Sequence, residues 1–146
     1  MQFQALGHPV TTPSRTLETF PAPRHVTRVS FTSDELTTFC PVTHQPDFNT
    51  VRIEYQPKQK CIESKSLKLY LWSYRDERAF CEALTAQIAH DVFAAIEPQW
   101  CRVTITQNVR GGIVLEAVAE LPGSPTGAQA GTRQPVPEDE RHDLSE

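Results

Sequence analysis

The sequence predicts an α+β domain in which an antiparallel sheet carries helical cover on one face. Three patterns indicate this class. Apolar side chains alternate with polar ones in residues 50–55 and again on both sides of the glycine pair at 111–112, as in strands and hairpins. Between these strands, apolar residues recur at every fourth position, as on one face of a helix: Phe80, Leu84, Ile88, Val92 and Ile96. Strands, then a helix, then a hairpin build a two-layer domain.

The first half of this domain is predicted to contain two strands. Residues 26–31 form a short strand, and in residues 50–55 the apolar side chains face one way and the charged side chains the other. The polar segment 56–60, which contains a proline, ends the second strand. The stretch ESKSLKLY at 63–70 fits neither a regular strand nor a plain surface helix, and we expect alternation to anchor it through Leu67, Leu69 and Leu71.

The second half is predicted to be a helix followed by a hairpin. Ser73 and Asp76 have the spacing of a helix-capping pair, and Pro98 ends the helix after Glu97. Apolar residues then alternate in two strands around the glycine pair: Trp100, Val103 and Ile105, then Ile113, Leu115 and Ala117. So little helical cover leaves a sheet edge open, and we expect self-association to cover it.

The two ends of the chain differ in composition from residues 25–121, which we predict to be one folded domain. Residues 1–24 contain four prolines and few large apolar side chains, which predicts a flexible or loosely docked arm. Residues 122–146 are rich in proline, glycine and charge, which predicts a disordered tail. The chain has no apolar run near the roughly 20 residues of a membrane span and no apolar signal segment, so we expect a cytoplasmic location.

Charge and cysteine spacing exclude several classes of function. The formal net charge of -4 gives no overall attraction to nucleic acid or acidic membranes, although the lysines between residues 58 and 68 could meet a small anion. The four cysteines lie about 20 residues apart with no CxxC pair, which argues against a zinc site and against a disulfide framework. We therefore expect no metal and reduced thiols.

The segment FCPVTHQPDFNT at 39–50 contains the residues best suited to chemistry. Cys40 precedes Pro41, which holds the cysteine extended, and Asp47 follows in a loop that two prolines stiffen. A thiol and a carboxyl on one rigid loop suit a nucleophile with a proton donor. The residues alone also fit a buried cysteine and a turn-forming aspartate, so both interpretations stay open.

Four motifs in this order, FCPVTHQPDF, ESKSLKLYLWS, FCEAL and RGGI, resemble the short, single-module form of the QueF family. Its members are NADPH-dependent 7-cyano-7-deazaguanine reductases of queuosine biosynthesis. The resemblance covers about residues 30–120, and ESKSLKLY is similar to the family's signature. It implies the tunnelling fold, in which small α+β domains assemble into an oligomeric barrel with active sites between subunits.

The resemblance also implies roles for individual residues. Cys40 matches the nucleophile and Asp47 the general acid. The positions implied for the deazaguanine substrate are Ile62, Glu63, Ser64, Cys81 and Glu82. Those implied for NADPH are Ser64, Lys65 and Lys68, with Arg110 and Gly111 from a neighbouring subunit. On spacing alone, solvated surface charge is the favoured interpretation of each lysine, and the resemblance reverses it.

Cys81 departs from the family pattern, which commonly has histidine immediately before the glutamate that Glu82 matches. A thiol is a weak donor and cannot replace an imidazole as a proton relay. Three interpretations stay open: a compact filler on the first helical turn, a reversible disulfide partner of Cys40, or a sign that the activity has drifted from reduction.

The resemblance implies an enzyme that reduces the nitrile of 7-cyano-7-deazaguanine to a primary amine with two NADPH, through a thioimide on Cys40. Two alternatives remain. Relatives without the reductase signature join ammonia to the same nitrile on transfer RNA, and the retained ESKSLK and RGGI argue against that function here. The other alternative is a non-catalytic assembly protein of the same fold that binds a purine or pterin.

Overall fold

The computed structural model describes residues 2–7 and 12–123. Its elements are, in chain order, β1 (Thr19–Pro21), β2 (Val29–Phe39), β3 (Pro46–Gln56), β4 (Lys60–Ile62), α1 (Ser64–Trp72), α2 (Cys81–Ile96), β5 (Trp100–Arg110) and β6 (Ile113–Leu121). Most of the predicted tail lies outside the described residues. No helix in the described ranges is long and apolar enough to cross a bilayer.

The main sheet has the strand order β2-β3-β5-β6, and every neighbouring pair is antiparallel. β3 is central, so Val51 pairs with Ser33 on one side and with Ile105 on the other. β1 and β4 form a separate antiparallel pair that the sequence did not predict. The predicted class, α+β with an antiparallel sheet, is confirmed.

One face of the sheet carries the core. Along β3, side chains alternate between buried and exposed positions until both faces become buried near its end. The buried face continues into α2, whose core stripe was predicted from its four-residue period: Leu84, Ile88, Val92 and Ile96. Phe80 is not part of this stripe; it is the N-cap residue of α2 and is 58% exposed.

The segment ESKSLKLY forms a helix, not an alternating extended segment. Leu67, Leu69 and Leu71 are all buried, but they lie on α1 together with the buried Tyr70. The helix begins there because the carboxylate of Glu63 accepts hydrogen bonds from two backbone N–H groups of its first turn. The expectation of alternation was therefore wrong.

Ser73 closes α1 instead of starting α2. Its backbone N–H bonds carbonyls in the last turn of α1, so the predicted capping pair with Asp76 does not form. α2 starts eight residues later, at Cys81, behind an N-cap that makes no side-chain bond. The predicted end of the helix is confirmed, since Glu97 is the C-cap residue in the left-handed conformation.

The predicted N-terminal arm is partly in contact with the domain. Thr19–Pro21 pairs with β4, and the N–H of Ala22 donates to the carbonyl of Gln59 over 2.9 Å. The first strand of the main sheet spans Val29–Phe39 and is therefore longer than the predicted 26–31. The boundaries 25–121 of the folded domain stay a prediction.

Candidate active site

The β2–β3 hairpin holds Cys40 and Asp47 at one end of the sheet. β2 ends at Phe39, and the Cys40 N–H donates to the Gln45 carbonyl over 2.9 Å, which closes the turn. Asp47 lies inside β3, where it pairs with Thr38, and not in the loop that the sequence suggested. Because Thr38 is only two residues before Cys40, the register brings the thiol and the carboxyl to the same end of the ladder.

The Cys40 thiol is partly exposed and its pKa is lowered from 9.0 to about 7. The main cause is a hydrogen bond from the Thr43 side chain, followed by bonds from the backbone N–H groups of Thr43 and Val42. Burial and the nearby Asp47 charge oppose the shift. The lowered pKa increases the thiolate fraction at neutral pH, as a nucleophile requires.

Asp47 is a buried carboxylate with a cationic neighbour. Its side chain is 5% exposed, and its Oδ1 lies 2.7 Å from Nη1 of Arg110 at the end of β5. A second nitrogen of the same guanidinium donates to the Pro46 carbonyl over 3.2 Å. The contact with Oδ1 is an ion pair without hydrogen-bond geometry, so this oxygen has no hydrogen-bond partner.

A short parallel bridge brings the start of α2 to this hairpin. The Phe39 N–H donates to the Glu77 carbonyl over 2.8 Å, and the Ala79 N–H donates back to the Phe39 carbonyl over 3.3 Å. Two residues later, α2 begins with the buried Cys81 and the exposed Glu82. A carboxylate that was predicted to bind the substrate base therefore lies in the first turn of a helix joined to the strand that leads into Cys40.

Cys81 is directed into the core. Its Sγ contacts the Ile105 carbonyl oxygen at 3.9 Å. Burial is the main cause that raises the pKa of this thiol, and the charges of Glu82 and Asp47 raise it further, against a hydrogen bond with Thr85. These properties are those of a neutral packing residue. All four cysteines are free thiols, so the disulfide between Cys40 and Cys81 stays a hypothesis.

Ile62 and Glu63 lie beside the end of β3 that is far from Asp47, and Ser64 lines a cavity with Val51 and Ile53 from the middle of that strand. The Ile62 N–H donates to the Tyr55 hydroxyl over 2.9 Å, and Tyr55 follows Asp47 by eight positions along β3. Eight strand residues span about 26 Å. Within one chain, the structure therefore does not bring these predicted substrate residues to Cys40 and Asp47.

Glu63, which was predicted to contact the substrate, is also the N-cap residue of α1. Its side chain is buried, with 4% exposed. Its two carboxylate oxygens accept from the N–H groups of Lys65 and Ser66, over 2.7 and 2.8 Å. Ser64, in contrast, is exposed at the start of the helix.

A cavity of about 590 Å³ lies between α1 and the strands β2 and β3. Three residues predicted to bind the cofactor line it: Ser64, Lys65 and Lys68. The Lys65 ammonium donates to the Ala5 carbonyl over 2.7 Å. Gly111 lies elsewhere, at the tip of the β5–β6 hairpin, with a φ of 57° that favours glycine.

Comparison with known proteins places these features in a family. The family model described as QueF-like protein matches residues 46–124. A relative from Anaeromyxobacter dehalogenans (strain 2CP-C), named NADPH-dependent 7-cyano-7-deazaguanine reductase, is 46% identical over 119 residues, which cover 80% of this chain and 98% of the relative. The chain belongs to the QueF-like family.

Other relatives agree with this assignment. A relative from Halorhodospira halophila, also named NADPH-dependent 7-cyano-7-deazaguanine reductase, is 50% identical over 115 residues, covering 77% of this chain and 98% of the relative. Another from Syntrophus aciditrophicus is 52% identical over 111 residues, covering 74% and 79%. A solved structure, the apo form of archaeosine synthase QueF-Like, is similar with a TM-score of 0.59 and 28% identity over 67% of this chain and 94% of that one.

Sequence reasoning missed two residues of the candidate site, Thr43 and Asn49. Thr43 is the main cause of the lowered thiol pKa, and its only signal was a hydroxyl three residues after Cys40. Asn49 is 2% exposed, and its Nδ2 donates to the carbonyl of Leu36 on β2 and to the carbonyl of Asp47 itself. The described residues contain no cluster of three or more side chains suited to a metal ion.

Proposed function

We propose that this chain reduces the nitrile of 7-cyano-7-deazaguanine to 7-aminomethyl-7-deazaguanine with two NADPH, in queuosine biosynthesis. The observation that carries the proposal is the joint position of Cys40 and Asp47 at the end of one hairpin, with a Cys40 pKa of about 7. The names of the relatives supply the substrate and the cofactor. The coverage supports the transfer, since the match spans 98% of two of these proteins.

Covalent capture is the step that the hairpin explains. Asp47 relays the proton of the Cys40 thiol to the nitrile nitrogen while the sulfur adds to the nitrile carbon, which yields a thioimide. NADPH, when bound, supplies the hydride that reduces the carbon. The carbon–sulfur bond then breaks, the electron pair returns to Cys40, and an imine is left for the second reduction. Both hydride additions need protons at the same nitrogen, beside Asp47.

Glu82 is proposed to hold the deazaguanine ring. Its exposed carboxylate can accept from a ring N–H and from the exocyclic amine at once. Without such an acceptor, each donor of the base that is buried on binding would stay unpaired, which would cost about 1–3 kcal/mol of binding free energy. Ile62, Glu63 and Ser64 are proposed to contact the same base.

The donor set around the cavity fits a phosphorylated cofactor. Ser64 offers an exposed hydroxyl and Lys68 an exposed ammonium, both on α1. Charged and neutral donors of this kind suit phosphate oxygens. Lys65, Arg110 and Gly111 are included in the proposed NADPH site because the family motifs carry them.

An active site shared between subunits is part of the proposal. About 26 Å along β3 separates Asp47 from Tyr55. The Tyr55 hydroxyl accepts a hydrogen bond from the N–H of Ile62, which directly precedes Glu63. This separation supports a site to which one subunit supplies Asp47 and a neighbouring subunit supplies Glu63. The outer strand β6 has exposed apolar side chains that a second copy could cover: Ile113, Val114 and Val118. A tunnelling-fold barrel would provide such contacts, and a cytoplasmic location completes the proposal.

The decisive experiment adds 7-cyano-7-deazaguanine to the purified chain and records intact mass. The wild-type chain should gain the substrate mass as a thioimide, and Cys40→Ala should not. NADPH absorbance then measures reduction, with two NADPH consumed for each amine formed. Absence of the adduct and of NADPH oxidation in the wild-type chain would overturn the proposal.

A second candidate function is amidine formation, in which ammonia adds to the same thioimide. The similarity to the archaeosine synthase QueF-Like structure favours it. The test separates the two, because an adduct that ammonia consumes without NADPH oxidation supports amidine formation. An adduct that neither reagent consumes would support a non-catalytic assembly protein that binds a purine or pterin.

A further inference from the structure

Two buried side-chain oxygens in the described part of the chain lack a hydrogen-bond partner, and both lie on β3. They are Oδ1 of Asp47 and Oδ1 of Asn49. Asp47 is 5% and Asn49 2% exposed. Buried polar atoms without a partner are rare in folded proteins, and each one calls for an explanation.

The orientation of the Asn49 amide follows from its neighbours. Its Nδ2 donates to the carbonyls of Leu36 and Asp47 over 3.2 and 3.4 Å, and to the Thr38 hydroxyl over 3.4 Å. Carbonyl oxygens only accept, so the nitrogen of the amide must face them. The amide oxygen therefore faces away from the β2 backbone.

The two oxygens belong to one face of one strand. Residues two apart in a strand point the same way and have Cα atoms about 6.6 Å apart. A single nitrogen between the side chains can reach both oxygens at ordinary hydrogen-bond lengths of about 2.9 Å. The guanidinium of Arg110 contacts Asp47 Oδ1 without hydrogen-bond geometry, so this oxygen can still accept.

We propose that Asn49 Oδ1, together with Asp47, binds the reacting nitrogen of the substrate once that nitrogen carries hydrogen. This inference rests on the proposed function. A nitrile nitrogen has no hydrogen and gains nothing from a second acceptor. The imine and the amine do carry N–H groups and can donate to both oxygens. Asn49 therefore stabilises the states that carry N–H groups relative to the nitrile.

If Asn49 and Asp47 bind the imine nitrogen, the imine stays in the active site between the two reductions. The imine is no longer covalently bound after the carbon–sulfur bond breaks. If it leaves before the second reduction, water adds to its carbon and the nitrogen departs, which yields an aldehyde and ammonia. An acceptor pair on the nitrogen holds the imine in place for the second hydride.

The test measures binding without turnover. In the Cys40→Ala chain, which cannot form the thioimide, calorimetry gives the affinities of 7-cyano-7-deazaguanine and of 7-aminomethyl-7-deazaguanine. Adding Asn49→Leu, which is similar in shape and apolar, should weaken the amine about ten-fold and leave the nitrile unchanged. Thr38→Val is the matched control, because it removes one partner of Nδ2 and leaves Oδ1 intact; it should change neither affinity.

A second readout uses the chain with Cys40 intact. Asn49→Leu should release more aldehyde per NADPH oxidised than wild type, detected by trapping with a hydrazine. If Asn49→Leu fails to fold, Asn49→Ala is measured in its place.

Equal weakening of both ligands would overturn the inference, because it would mean that Asn49 only supports the fold. Unchanged affinities would also overturn it, because a water molecule would then satisfy the oxygen. A wild-type chain that never consumes the nitrile counts against the proposed function instead, and that result is obtained before the variants are compared.

Discussion

Nη1 of Arg110 lies 2.7 Å from Oδ1 of Asp47, so the end of β5 provides the cation for a carboxylate of β3. The two side chains differ in exposure, 42% for the arginine and 5% for the aspartate. The buried partner depends more on the pair, because a carboxylate removed from water needs a compensating charge or hydrogen bonds.

Replacing Arg110 by methionine is therefore expected to destabilise the chain. The loss should be about 1–2 kcal/mol, below the value for a fully buried pair because the arginine is partly solvated. In an Asp47→Asn background the same replacement should have little effect, since no buried charge remains. Urea denaturation of the four chains at one protein concentration measures this coupling. Lys58→Met, at an exposed position, is the control, and an equal loss in that variant would contradict the prediction.

The Thr43 hydroxyl should set the reactivity of Cys40. Thr43→Val removes the main cause of the lowered pKa, so the Cys40 pKa should rise from about 7 toward 9.0. A rise to about 8 would lower the thiolate fraction at pH 7 about five-fold. The pH dependence of iodoacetamide alkylation, followed at the Cys40 peptide, measures this change.

The same digest contains internal controls. Burial raises the pKa of Cys101 to about 11 and also raises that of Cys81, so both should react far more slowly than Cys40 in every variant. Thr50→Val, at an exposed position of β3, is the matched threonine control. A Cys40 profile that is the same in Thr43→Val and wild type would show that the backbone N–H groups alone lower the pKa.

Secondary structure was predicted correctly from the sequence where a single hydrophobic periodicity dominates a segment. Residues 50–55 and the core stripe of α2 each follow a single period, and both became the predicted element. α1 was missed because Leu67, Leu69 and Leu71 fit a two-residue period, although all three are also buried on a helix. The helical conformation is favoured by the Glu63 carboxylate, which caps the first turn of α1. The two-residue spacing of the leucines does not reveal this cap.

The candidate site was predictable only in its motif residues. Cys40 and Asp47 stand seven positions apart in a distinctive segment, so their proximity could be expected. The contact between Arg110 and Asp47 joins two hairpins far apart in the chain, and local spacing carries no signal for it. The role of Ser73 was mistaken because its spacing to Asp76 suits a helix start, whereas α1 ends there.

Glu63 should stabilise the fold independently of any ligand. Glu63→Ala removes both acceptors that cap α1, so the free energy of unfolding should fall by about 1–2 kcal/mol. Thermal or urea unfolding without substrate measures the loss. Glu35→Ala, at an exposed carboxylate, serves as the control and should change stability by less than about 0.5 kcal/mol. Equal stability of the two variants would mean that water replaces the cap at no cost.

The separation of Glu63 from Cys40 within one chain gives the last prediction. If neighbouring subunits build each site, mixed oligomers of Cys40→Ala and Glu63→Gln chains should regain nitrile reduction, because some interfaces join two intact residues. Co-expression with two tags, tandem purification and an NADPH assay measure the recovery. A mixture of Cys40→Ala with Asp47→Asn is the matched control, because one hairpin carries both residues and no interface can restore the pair. Recovery no greater than in this control would mean that Glu63 does not share a site with the thiol of a neighbouring subunit.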